Sequence, residues 1–132
     1  MTRVYKQPQY PGSAALKAAI ASDDVDVLGE MIIGAALYEA DFDVVQAACI
    51  QLSGHQAAVI RGNAVLGFGH IARGFERLDA QAVELVRLSL RDSSVYVRRQ
   101  AYAAAGDLKH FLGIDVGRDE LLAPAPDEPA AG

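Results

Sequence analysis

Along most of this chain apolar residues return every three to four positions, and short polar clusters interrupt them. That spacing is helical. Ala15, Leu16, Ala19 and Ile20 keep it over residues 14–21, with Ser13 placed to cap, and Ser22 to Asp24 form a turn. A second helix is predicted from Val25 to Glu39, and a third over 42–53 behind Asp41, a good N-cap, with Gly54 to stop it. The fourth runs over 57–74 into a Gly74-Phe-Glu-Arg connector. Asp79 precedes a fifth over 80–91, with Leu78 and Val83 spaced as a hydrophobic staple. Ser93 or Ser94 opens a sixth that ends at Gly113.

Six helices in sequence pair as three hairpins, 14–39, 42–74 and 80–113. Residues 1–12, with two prolines, read as an extended arm, 13–113 as the helical domain, and 114–132 as an acidic, Pro- and Ala-rich tail. From about residue 123 that tail has too little apolar surface to fold and is expected to be disordered. The fold class is therefore all-α.

Two of the predicted helices are variations on one phrase. HQAAVIRGNAVLGFGHI over 55–71 and DSSVYVRRQAYAAAGDL over 92–108 align at a spacing of 37, pairing Arg61 with Arg98, Ala64 with Ala101 and Gly69 with Gly106. A helical hairpin repeated at this period is the mark of an α-solenoid. Asp92, Val97, Arg98, Ala101, Gly106 and Leu108 resemble the second helix of a HEAT repeat; the middle copy has His55 in the acid's place. The first copy keeps Val27, Met31 and Ala36 but has Leu28 for the arginine, as an atypical terminal repeat would. The resemblance covers about residues 14–113 and implies a short α-α superhelix in which the second helices line the concave surface.

The repeat separates scaffold from candidate surface. Ile60, Ala64, Gly67 and Ile71, with Val97, Ala101, Ala104 and Leu108, are expected core. Asp92 and Arg98 invite a catalytic or phosphate-binding reading, but the resemblance implies that they register one repeat on the next. Gly69 and Gly106 imply either close helix approach or a surface kept bare. Opposite the core lie Gly62, Leu66, Gly69 and Arg73 on the fourth helix, and Arg99, Ala103, Gly106 and His110 on the sixth. Two rows align across the three second helices, Glu30 with Asn63 and Gln100, and Leu37 with His70 and Asp107. Each is either a hydrogen-bond ladder or the rim of a groove.

Charge is unevenly placed. The chain carries −5 overall, and no Lys or Arg falls between Lys17 and Arg61, where Asp23, Asp24, Asp26, Glu30, Glu39, Asp41 and Asp43 stand. These acids either cap helices or form an acidic face toward a basic partner. The longest run without a charged residue or histidine, Val44 to Gly54, is too short to span a bilayer, and the N-terminus lacks the apolar stretch of a secretory signal. The single cysteine, Cys49, excludes an internal disulfide and suits a reducing cytoplasm. His55, His70 and His110 have no metal-ligand spacing, and no catalytic motif occurs, so neither enzyme activity, a metal nor a cofactor is expected.

The size and the segments GNAVLGFGHIARGFERLD and DSSVYVRRQAYAAAGDLKHFLG resemble stand-alone HEAT-like immunity proteins of bacterial polymorphic toxin and contact-dependent growth inhibition systems. That resemblance implies a cytoplasmic antitoxin forming a 1:1 complex with a cognate toxin domain, often a nuclease, with no direct nucleic-acid or membrane partner. The expected partner-binding residues are Asp26, Glu30, Asp41, Asp43, Asn63, Leu66, His70, Arg73, Arg99 and Asp107. The competing expectation is a HEAT-repeat scaffold or adaptor in another complex.

Overall fold

Two aspartates start helices in the same way. Asp24 Oδ1 accepts from the amides of Asp26 and Val27 at 3.0 and 3.3 Å. Asp41 Oδ1 accepts from Asp43 and Val44 at the same two distances. Each bond satisfies donors that helix geometry leaves without a partner, contributing about 1 kcal/mol per cap. The computed structural model describes residues 9–117. The first eight residues of the expected arm and the tail from 118, including the disorder expected from about 123, lie outside the described residues.

The helices are α1 (Ser13–Ser22), α2 (Val25–Tyr38), α3 (Phe42–Leu52), α4 (Ala58–Phe75), α5 (Ala80–Ser89) and α6 (Val95–Asp107). α6 continues as one π-helical turn, Leu108–Leu112. The described residues are thus all-helical, and consecutive helices pack as three hairpins with the second helices α2, α4 and α6 adjacent in that order. α4 is the centre: ten of its eighteen residues are buried, on every side of the helix. Such all-round burial is expected only of an element enclosed by others.

Two expected caps need correction. Ser13 is the first helical residue of α1; Gly12 occupies the cap position and no side chain caps there. Asp79 precedes α5, but its carboxylate accepts instead from Gln46 Nε2 at 2.7 Å, while its amide donates to Gln46 Oε1 at 2.8 Å. The reciprocal pair ties α3 to the start of α5 and satisfies the buried Gln46 side chain. Ser94, not Ser93, caps α6. Gly113 closes the helical run in the left-handed conformation at φ 66°.

The core is continuous from Leu16 of α1 to Val116 beyond α6. All eight expected core positions of α4 and α6 are buried. Cys49 is fully buried, and burial pushes its thiol up to about 12, so it is an inert small side chain.

Glycine sets how closely α4 and α6 approach. A Cβ on Gly69 would lie 2.5 Å from an Asp107 carboxylate oxygen and 3.1 Å from the Ala104 backbone, and one on Gly62 would lie 2.6 Å from the Tyr96 ring. The close-approach reading of Gly69 is therefore the one the structure bears out. Gly62 and Gly69 are buried between helices, which corrects their expected place on an open surface.

The arm caps the first hairpin. Ile60 and Gly67 of α4 face α2, touching Gly29 and Ala36. The matching α2 position, Gly34, faces the arm instead: a Cβ there would lie 2.7 Å from the Gln9 carbonyl oxygen. Tyr10 packs against the core and donates its hydroxyl to Glu39. Residues 9 and 10 thus occupy the place a preceding repeat would fill.

Candidate partner-binding face

The repeated arginines are occupied. Arg61 Nη1 donates to the carbonyls of His55 and Gln56 at 3.1 Å each, holding the turn ahead of its own helix. Arg98 Nη1 does the same to Asp92 and Ser93 at 2.9 and 3.3 Å. The remaining guanidinium edge of Arg61 spans the carboxylate of Asp92, Nε to Oδ2 at 2.9 Å and Nη2 to Oδ1 at 2.8 Å. The inter-repeat carboxylate pair is therefore Arg61–Asp92, whereas Arg98 takes the Asp92 main chain. Burial alone would raise the Asp92 carboxyl, but Arg61 and the Ser94 amide outweigh it and hold the group below the ordinary carboxylate range.

His55, in the acid's place, makes the corresponding link to the first hairpin. Its Nδ1 accepts from the Ala57 amide at 2.9 Å, so the proton sits on Nε2, which donates to Asp23 Oδ1 at 2.6 Å. Both links join the turn of one hairpin to the next. These residues are stack-forming, which leaves the outward stripe of the second helices as a candidate face for a partner.

That stripe follows the spacing i, i+4, i+7, i+11, which puts four residues of each helix on one face. On α2 these are Asp26, Glu30, Ile33 and Leu37; on α4, Val59, Asn63, Leu66 and His70; on α6, Tyr96, Gln100, Ala103 and Asp107. Asp26, Glu30, Leu37, Val59 and Ala103 are exposed, and the rest except Asn63 are half-buried. The structure thus brings Asp26, Glu30, Leu66, His70 and Asp107 of the expected set to one face.

Asn63 is a correction. It is 6% exposed, its Oδ1 accepts the Tyr96 hydroxyl, and its Nδ2 lies 3.4 Å from the Gly29 carbonyl. The link across the three second helices therefore runs through Gly29, Asn63 and Tyr96, and not through Glu30, Asn63 and Gln100. Asn63 thus serves that link from a buried position and not from the exposed part of the face.

His70 and Arg73 form the polar focus of the face. Arg73 Nη2 donates to His70 Nδ1 at 3.1 Å, which leaves the neutral ring with its proton on Nε2. Burial and the Arg73 charge lower the imidazole pKa, against a smaller opposing pull from Asp107. With Phe75 the pair lines a cleft of about 260 Å³ between the C-terminal ends of α2 and α4, with Leu37, Tyr38 and Glu39 on the α2 side. Tyr38, 53% exposed, was not singled out from sequence because it occupies the repeat position at which Ile71 is core.

The other expected residues lie elsewhere. Arg99 is exposed on α6 at the repeat position of Gly62, on the far end of the stack. Asp41 and Asp43 stand at the start of α3, beside α1 in the first-helix layer. The acids between 23 and 43 are thus divided: Asp24 and Asp41 cap, Asp23 pairs with His55, and Asp26 and Glu30 stand on the stripe.

Among the described residues no three His, Cys, Asp or Glu side chains are grouped to hold a metal ion, and no helix is long and apolar enough to cross a membrane. Comparison of the chain with family models, with curated proteins and with solved structures gave no match.

Proposed function

We propose that this chain is an immunity protein that binds a cognate toxin domain, a nuclease being the favoured class, and masks its active or substrate-binding surface. The observation that carries the reading is the division of labour between repeats. Equivalent framework residues such as Arg61 and Arg98 hold equivalent turns, whereas the outward row changes from Leu37 to His70 to Asp107. Residues that vary while their scaffold repeats are suited to recognising one particular partner.

The residue types support a protein partner. Tyr38, Leu37, Leu66, His70 and Arg73 combine aromatic, apolar and guanidinium groups, the kinds that anchor interfaces. Asp26 and Glu30 beside them suit a partner with a basic surface, and charge of this sort speeds encounter more than it deepens affinity.

The test is co-expression with the product of the adjacent reading frame. Protection of cells from that product, together with a stable purified complex, supports the proposal. Absence of both would sink it and favour the scaffold alternative, in which the same face holds a component of some other assembly. Tyr38→Ala and Arg73→Ala should each weaken the complex by roughly tenfold or more if they are central anchors.

A further inference from the structure

A second surface lies in the first-helix layer. Between α1 and α3 runs an open groove of about 360 Å³ whose floor is Leu16, Ile20, Val44 and Ala48. It exists because the side chains along it are short. The outward positions of α1 are largely alanine, and Ala47 and Ala48 stand on α3. The next gap in the same layer, between α3 and α5, is closed by the Gln46–Asp79 pair, and Phe42 packs edge-on to Phe75 with Arg77 3.8 Å above its ring. Among the described residues the first gap has no such filling.

Asp41 and Asp43 line one end of the groove, at the start of α3. Lys17 lines the α1 side and is the sole lysine or arginine between residues 7 and 60. We infer that this groove receives an apolar side chain of a partner protein segment whose neighbouring residue is lysine or arginine, with the cation against Asp41 and Asp43. The apolar floor supplies the contact and the acidic end fixes direction, since Gln51, two turns further along α3, offers the cation no charge. The inference does not depend on the antitoxin reading, because groove and charge are properties of α1 and α3 alone.

The test uses a short synthetic helical peptide with one leucine per turn and lysines between, and a second in which glutamate replaces lysine. Titrated into isotopically labelled protein, the lysine peptide should shift the amides of Ile20, Val44, Ala47 and Ala48. It should bind at least roughly tenfold more tightly than the glutamate peptide. The pair Asp41→Asn and Asp43→Asn, which keeps a capping side chain, should weaken it by roughly tenfold and flatten its salt dependence. Ala47→Trp at an exposed groove position should abolish it, with thermal unfolding showing that each variant is folded. If Ala47→Trp does not fold, the asparagine pair still decides. Equal binding of both peptides, shifts confined to the Leu66–His70 face, or no binding at millimolar peptide would each overturn the inference.

Discussion

Arg61 on α4 grips Asp92, which precedes α6, through two parallel hydrogen bonds of 2.9 and 2.8 Å, while its third nitrogen holds the turn ahead of its own helix. One side chain therefore shapes a turn and registers a neighbour. Both partners are mostly buried, with side-chain exposures of 18% and 16%, so neither has water to replace a lost partner.

Arg61→Met should cost about 2–4 kcal/mol in urea unfolding, and Asp92→Asn a similar amount, because each leaves the other charge unpaired. The double variant should lose less than the sum, with a coupling of about 1 kcal/mol or more in a double-mutant cycle. Strict additivity would contradict the geometry.

The depressed Asp92 carboxyl links stability to acid. Its folded value lies below the unfolded one, so the unfolded chain binds more protons between the two. The contribution is complete above the unfolded value of about 3.9 and disappears as pH falls through the lower folded value. Urea midpoints measured from pH 6 to pH 2 should fall more steeply for the parent than for Asp92→Asn.

His70 has the same sign by a different cause. Burial and Arg73 favour the neutral ring in the folded state, so its contribution is complete above the usual imidazole value of about 6.5 and is lost as pH falls below it. His70→Gln should flatten the stability profile in that window. An unchanged profile would place the imidazole in water.

Two glycines of one helix should respond in opposite directions. Gly69→Ala pushes a methyl into the α6 backbone and the Asp107 carboxylate and should destabilise by about 1–3 kcal/mol. Gly74→Ala meets nothing within 4 Å in the last turn of α4 and should stabilise by about 0.5 kcal/mol through helix propensity. Thermal unfolding of the two variants checks both.

The division of the acids changes what neutralisation should do to a partner complex. Asp26→Gln with Glu30→Gln should slow association, with a loss that shrinks as salt rises, if the second-helix face is the one used. Asp41→Asn with Asp43→Asn should leave that complex unaffected, because those residues stand in the other layer. Stopped-flow association at two ionic strengths separates the cases.

The hairpins were legible because their cues are local: apolar spacing, Asp24 and Asp41 before helices, Gly113 after one. The α4 and α6 cores were legible because the repeat states them twice. What escaped was long-range pairing. Asp79 carries every local mark of a cap, yet Gln46, 33 residues away, takes its carboxylate. Asn63 looked like one rung with Glu30 and Gln100, but a tyrosine one turn earlier on α6 has the reach to meet it. Tyr38 was hidden because a terminal repeat exposes a position that an internal one buries. The candidate face was legible only as periodicity, since alignment places residues on a stripe without saying which of them the stack consumes.

Gly29, Gly62 and Arg99 share one repeat position: the first two face the next second helix, and the third faces outward at the end of the stack. An arginine there leaves no room for another helix at the distance α4 and α6 keep. A duplicated hairpin appended after α6 would thus meet a steric stop, and one placed before α2 would first have to displace Gln9 and Tyr10. A copy of the middle hairpin, inserted between the first and third, would meet compatible surfaces on both sides. The engineering of longer variants is thereby directed between the described hairpins.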